Sequence, residues 1–135
     1  MRTLVLAVGR LRPPYADDVQ HYQRLLARYT RLELTEVRED QSVDGRIPDR
    51  AFTVLLAADG REFDSMELSG WLEERRQSAQ DLCFIVGGPK GIDLEGCDMK
   101  LSLGRMTLPH QLARVVLLEQ VYRANKILAG EPYHY

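Results

Sequence analysis

Three stretches, "TLVLAVG" (3–9), "FTVLLAA" (52–58) and "LCFIVGG" (82–88), are nearly unbroken apolar runs. A strand with one wet face alternates apolar and polar residues. A continuous run of this length needs cover on both faces. Between the runs the period changes. After a proline-rich loop, "RLRPPY", the residues Val19, Tyr22, Leu25, Leu26 and Tyr29 recur at spacings of three and four, which predicts an amphipathic helix from Ala16. "LELTEVRE" (32–39) alternates as a half-exposed strand does. "EDQSVDGRIPD" has no period and contains Gly and Pro, so it reads as a loop. The second apolar run leads into Asp59-Gly60, a turn pair, and Asp64 or Ser65 is placed to cap a helix carrying Leu68, Trp71 and Leu72. "KLSLG" (100–104) is a further short strand. Pro109 opens the last helix, whose apolar residues keep a helical period from Leu112 to Leu128, with Gly130 as its stop. Strands that alternate with helices predict an α/β fold: a mostly parallel sheet with helices on both faces, in one domain spanning 1–135.

Composition excludes several classes. With 135 residues, 44% apolar and 28% charged, the chain suits a soluble globular domain. No apolar run approaches the length of a membrane span. The N-terminal run is too short, and lacks the small-residue cleavage site, for a signal peptide. Cys83 and Cys97 give neither a disulfide framework nor metal spacing, so the expected address is the cytoplasm, with reduced thiols and no metal. The net charge of −2 hides an uneven layout. Residues 1–32 carry six Arg against two Asp, residues 33–98 seven basic against sixteen acidic groups, and residues 99–135 five basic against two acidic. Basic chain ends that meet in space would make one positive face for phosphates. Ordinary solvated charge is the alternative.

In open α/β sheets the ligand crevice lies beyond the carboxyl ends of the strands. Three such ends stand out: "LLAADG", "FIVGGPKG" and "LGRMTLPH". "GGPKG" is not a P-loop, because the spacing is wrong and no Ser or Thr follows Lys90. A tight turn and a ligand loop both remain open for it. In "LSLGRMTLPH" the apolar Leu103, Met106 and Leu108 either cover the sheet edge or wall a pocket for a flat purine. Near the end stand His110, Gln111, Arg114, Glu119, Gln120, Arg123 and His134. Arg114 and Arg123 are a half turn out of phase and do not serve one small site without a second subunit. There is no Gly-x-Ser-x-Gly and no metal-ligand cluster. The last residues, "GEPYHY", put two aromatics and an imidazole where expendable polar residues are usual. Either this tail packs on a neighbouring surface or it supplies chemistry.

Taken together, "FIVGGPKG", "LSLGRMTLPHQLARVVLLEQVYRA" and "GEPYH" resemble the ribosomal RNA large subunit methyltransferase H family, SPOUT-class enzymes that methylate N3 of a pseudouridine in 23S rRNA. The motifs stand in family order, and "LVLAVG" agrees near the N-terminus. The resemblance implies a deep C-terminal trefoil knot, a homodimer built partly from the last helix, and S-adenosylmethionine bound at the knot. It implies cofactor contacts at Leu56, Gly87 and Gly88, and along the loop Leu103, Gly104, Arg105, Met106, Thr107 and Leu108, with Ser102 at its start. It places Tyr133 and His134 at the substrate, His134 as candidate base, with Arg114 and His110 as candidates to orient the base or a phosphate. The implied partner is 23S rRNA in the large subunit or 70S ribosome, with no membrane involved.

The chain departs from that family in three ways. Relatives commonly carry a basic residue after Pro-Tyr-His, where Tyr135 stands here. Many have an aspartate at the position of Ala57, and a longer, helix-containing segment in place of "EDQSVDGRIPDR". A catalytically silent ribosome-binding relative and a nucleotide-binding enzyme using "GGPKG" are the rival readings.

Overall fold

The computed structural model describes residues 1–87 and 96–133. Gly88, the rest of "GPKG", His134 and Tyr135 lie outside the described residues. Five strands, β1 (Arg2–Val8), β2 (Arg31–Val37), β3 (Phe52–Glu62), β4 (Leu82–Val86) and β5 (Met99–Ser102), form one sheet in the order β2-β1-β4-β3-β5. Every pairing is parallel. Helices α1 (Tyr15–Leu26), α2 (Ser65–Gln77) and α3 (His110–Leu128) complete the fold. The α/β class and the parallel sheet are those expected from the apolar runs.

The two sheet faces are read directly off strand parity. Val5, Ala7, Val54, Leu82, Phe84, Val86 and Leu101 point to one side, with Val19 and Leu26 of α1, Leu68, Trp71 and Leu72 of α2, and Leu117, Leu118 and Val121 of α3. Phe84 is fully buried, worth about 2–3 kcal/mol in transfer free energy. Trp71 lies 6.0–6.4 Å, centroid to centroid, from Phe52, Phe63 and Phe84. Leu4, Leu6, Val8, Val37, Leu55, Cys83 and Ile85 point the other way.

Among the described residues all three α-helices pack on the first face, where helices on both were expected. The cause is the direction of the crossovers. β1 to β2 and β3 to β4 step the same way across the sheet, so right-handed connections carry α1 and α2 to one side. β2 to β3 steps the opposite way, and its connection passes over the second face. There Val43, Ile47, Ala51 and Cys97 provide cover among the described residues, with a 3-10 turn at Asp44–Arg46.

A second correction concerns Asp59-Gly60, which lies inside β3 rather than in a turn beyond it. The register against β5 shifts between Leu56 and Arg61, both of which lie opposite Leu101. At Gly60 a Cβ would stand 2.7–2.8 Å from the backbone of Lys100 and Leu101. Only glycine permits this approach, and no local pattern announces it. The helix ends follow local chemistry. Asp64 caps α2 in a reciprocal capping box with Glu67. Gly130, at φ +69, closes α3 with N–H bonds from Gly130 to the Ile127 carbonyl and from Glu131 to that of Lys126, a Schellman ending.

Candidate active site

Because the sheet is wholly parallel, the carboxyl ends of all five strands lie along one edge. A cleft of about 200 Å³ opens there over β3, β4 and β5. Leu56 to Ala58 line it from β3, Val86 and Gly87 from β4, Leu101 to Gly104 (Ser102 excepted) from β5 and beyond, and Met106 to Leu108 from the following loop. His110 and Ala113 close it from the first turn of α3. The three strand ends singled out in the sequence therefore meet in one place.

The loop after β5 is shaped by its own polar groups. Ser102 Oγ accepts from the Gly104 N–H at 3.1 Å and donates to the Gly104 carbonyl at 3.0 Å. Gly104 takes φ +133, a conformation that favours glycine. This turn sets Leu103 inward, while Met106, 84% exposed, stands at the mouth. Arg105 is exposed and does not line the cleft.

The polar residues along α3 divide by position. His110 lies at the cleft. Arg114 does not. It is buried, pairs through Nη1 with Glu36 Oε2 at 2.9 Å, and donates through Nη2 to the Gly9 carbonyl at 3.1 Å. Its surroundings are a separate cavity between α1 and the β1–β2 edge. Farther along, Glu119 is bonded by Arg123 and accepts a 2.9 Å bond from the Tyr133 hydroxyl. The Tyr133 ring stands edge-on to Tyr122 at 5.3 Å and lies under the Arg123 guanidinium at 4.2 Å. Burial, then the Glu119 carboxylate, pushes the Tyr133 hydroxyl well above the usual phenol range, so it stays a neutral donor. Glu119 is nine residues beyond His110, roughly 14 Å along the axis. Tyr133 and the cleft are thus apart within one chain. Arg114 and Arg123 also serve different places, as their phase on the helix predicted.

Glu36 was missed by sequence reasoning, since its partner Arg114 is remote in the chain and nothing local marks it. Ala57, Ala58 and Ala113 line the cleft but have no chemistry to notice. Cys83 is an inert core thiol, pushed up to about 11 by burial. Among the described residues no group of three His, Cys, Asp or Glu could hold a metal.

Residues 1–134 match a family model described as "Predicted SPOUT methyltransferase". The chain belongs to the SPOUT methyltransferase family. It is 42% identical, over 100% of its length and 99% of the relative's, to a Gloeobacter violaceus protein named ribosomal RNA large subunit methyltransferase H. Proteins of the same name from Gluconacetobacter diazotrophicus (40%, over 96% and 95% of the two chains) and Gemmatimonas aurantiaca (35%, over 99% of each) are similar across their length. The first alignment spans 152 positions against 135 residues here, so that relative carries insertions.

SPOUT methyltransferases use S-adenosylmethionine, and the cleft suits it. Leu56, Val86, Leu103 and Leu108 give apolar walls for a flat ring. Thr107 and His110 supply the polar side chains at the mouth.

Proposed function

We propose that this protein methylates N3 of a pseudouridine in 23S rRNA, using S-adenosylmethionine held in the cleft at the ends of β3, β4 and β5. The carrying observation is the convergence of Leu56, Gly87, Leu103, Gly104, Met106 to Leu108 and His110 on that one cleft. The full-length similarity to proteins named ribosomal RNA large subunit methyltransferase H supports the substrate. When bound, the cofactor supplies a methyl group on a positively charged sulfur. Transfer makes the N3–CH3 bond as the S–CH3 bond breaks and its electron pair returns to sulfur; the imide proton leaves to a base. Most of the rate then comes from alignment of the acceptor with the methyl group. His110 at the cleft mouth is placed to orient the base, and His134, outside the described residues, is the candidate proton acceptor.

The working unit in this reading is a cytoplasmic homodimer with a knotted C-terminal segment. Tyr133 is seated by Glu119, away from the cleft of its own chain. The tail of one subunit therefore serves a site completed by its partner or by the ribosome. A small basic face makes naked RNA a poor substrate and an assembled large subunit or 70S particle a good one.

The test is transfer of a labelled methyl group from S-adenosylmethionine to ribosomes from cells lacking this gene, with the modified nucleotide mapped. Label on N3 of a 23S rRNA pseudouridine is the expected result. Cofactor binding without transfer to ribosomes known to carry the unmodified nucleotide would overturn the reading.

A further inference from the structure

The loop that follows β1, "GRLRPP" (9–14), plays no part in the cleft's lining, yet it is fastened to the cleft's own helix. Gln111, buried in the first turn of α3, bonds it twice: its Oε1 accepts from the Arg12 N–H at 2.7 Å, and its Nε2 donates to the Arg10 carbonyl at 2.9 Å. Arg114 holds the Gly9 carbonyl, and Glu36 Oε2 accepts from the Leu11 N–H at 2.6 Å. The Arg12 carbonyl accepts from the Tyr15 and Ala16 N–H groups. Four successive residues thus have their backbone fixed by side chains from α3 and β2 or by the start of α1. Leu11 packs against the main core, while Arg10 and Arg12 on either side of it are exposed. Neither arginine makes an ion pair among the described residues.

The position is as informative as the rigidity. Gly9 turns the chain out of β1 at φ +99, and a Cβ there would stand 4.0 Å from His110 Nε2. His110 lines the cleft. β1 and β4 are neighbours whose onward connections depart in opposite directions, so the loop stands at the topological switch point of the sheet. Two exposed guanidinium groups on a fixed backbone, beside the mouth of a methyl-transfer cleft, match a chain of phosphodiesters.

We infer that Arg10 and Arg12 grip the RNA backbone beside the target nucleotide, and that Gln111 and Arg114 are positioning residues that hold this grip in register with His110. The inference rests on the proposed rRNA methylation and names the surface that presents the nucleotide to the cleft. It also gives Arg114 an indirect role in place of direct contact with the substrate.

The test compares the dimeric protein with Arg10→Gln/Arg12→Gln and with a charge-matched control, Arg24→Gln/Arg31→Gln, whose exposed arginines lie toward the opposite edge of the sheet. Ribosome binding as a function of salt, methyl transfer and cofactor affinity are measured for each. The expected result is about a 10-fold or larger rise in KM for ribosomes. The slope of log affinity against log salt should fall by about 1.5, with cofactor affinity unchanged and the control near wild type. Gln111→Leu should raise KM in the same way while it spares cofactor binding, and Arg10→Lys/Arg12→Lys should rescue in part. Unchanged KM and salt slope in the arginine variant, with an active wild type, would overturn the inference and leave the methyltransferase reading standing. An equal loss in the control would overturn it too, as general charge attraction. If the wild type transfers no methyl group, loss of ribosome binding specific to the Arg10/Arg12 variant would sustain the grip and sink the activity. Wild type that neither binds nor methylates ribosomes would sink both.

Discussion

The two ends of α3 hold polar residues in opposite ways. At the N-terminal end, Gln111 and Arg114 are buried and spend their hydrogen bonds on the backbone of residues 9–12 and on Glu36, so the cleft edge is fixed by the fold itself. At the C-terminal end, Glu119, Tyr122, Arg123 and Lys126 receive the tail, through Tyr133 and Glu131, by contacts that are only partly buried. The first arrangement ties the loop after β1 to α3 through buried side chains; the second seats a short segment through partly buried contacts at the rim of the core.

Breaking the cleft end should cost most. Arg114→Met removes the pair with Glu36 and leaves the Gly9 carbonyl without its donor. Stability should fall by about 3 kcal/mol, read by denaturant unfolding, and transfer activity should fall with it. An unchanged midpoint would mean the loop after β1 does not depend on this anchor. Gly60→Ala attacks the opposite wall, where the new methyl group meets β5 backbone. A loss of about 2 kcal/mol is expected, with weaker cofactor binding because Leu101 and Leu103 are displaced.

The tail end should be softer. Tyr133→Ala should cost about 1–2 kcal/mol from the lost ring contacts, and Tyr133→Phe, which loses only the bond to Glu119, about 1 kcal/mol. If Tyr133→Ala destabilised the protein as much as Arg114→Met, the contrast between the two ends would collapse. The smallest effect is with pH. The Tyr133 pKa is raised in the folded protein, so its contribution is whole below the ordinary phenol value of about 10 and declines as pH rises past it. The stability gap between wild type and Tyr133→Phe should therefore hold up to about pH 10 and narrow above it in paired melts.

Much of this was legible because it is local. The runs ending at Val8, Leu56 and Val86 could only be strands buried on both faces, and Asp64 with Glu67 spells its own capping box. The strand-end rule then picked the segments that line the cleft before any distance was known. The failures share one cause: each depends on a distant partner. The continuation of β3 through Gly60 is set by the backbone of β5, and the role of Arg114 by Glu36 and Gly9. The helices share one face because of the strand order, which no segment encodes alone. Likewise the tail's seat on α3 depends on Glu119 and Arg123 lying side by side, one turn apart.

The most direct measurement is calorimetric titration of S-adenosylmethionine into wild-type protein and into Ala113→Trp and Ala58→Trp, each of which fills the cleft from a different wall. Binding by wild type, and at least a 10-fold loss in whichever variants keep the native melting transition, is the result predicted for a cofactor seated at the strand ends. Equal affinity in folded variants would place the cofactor elsewhere and contradict the account.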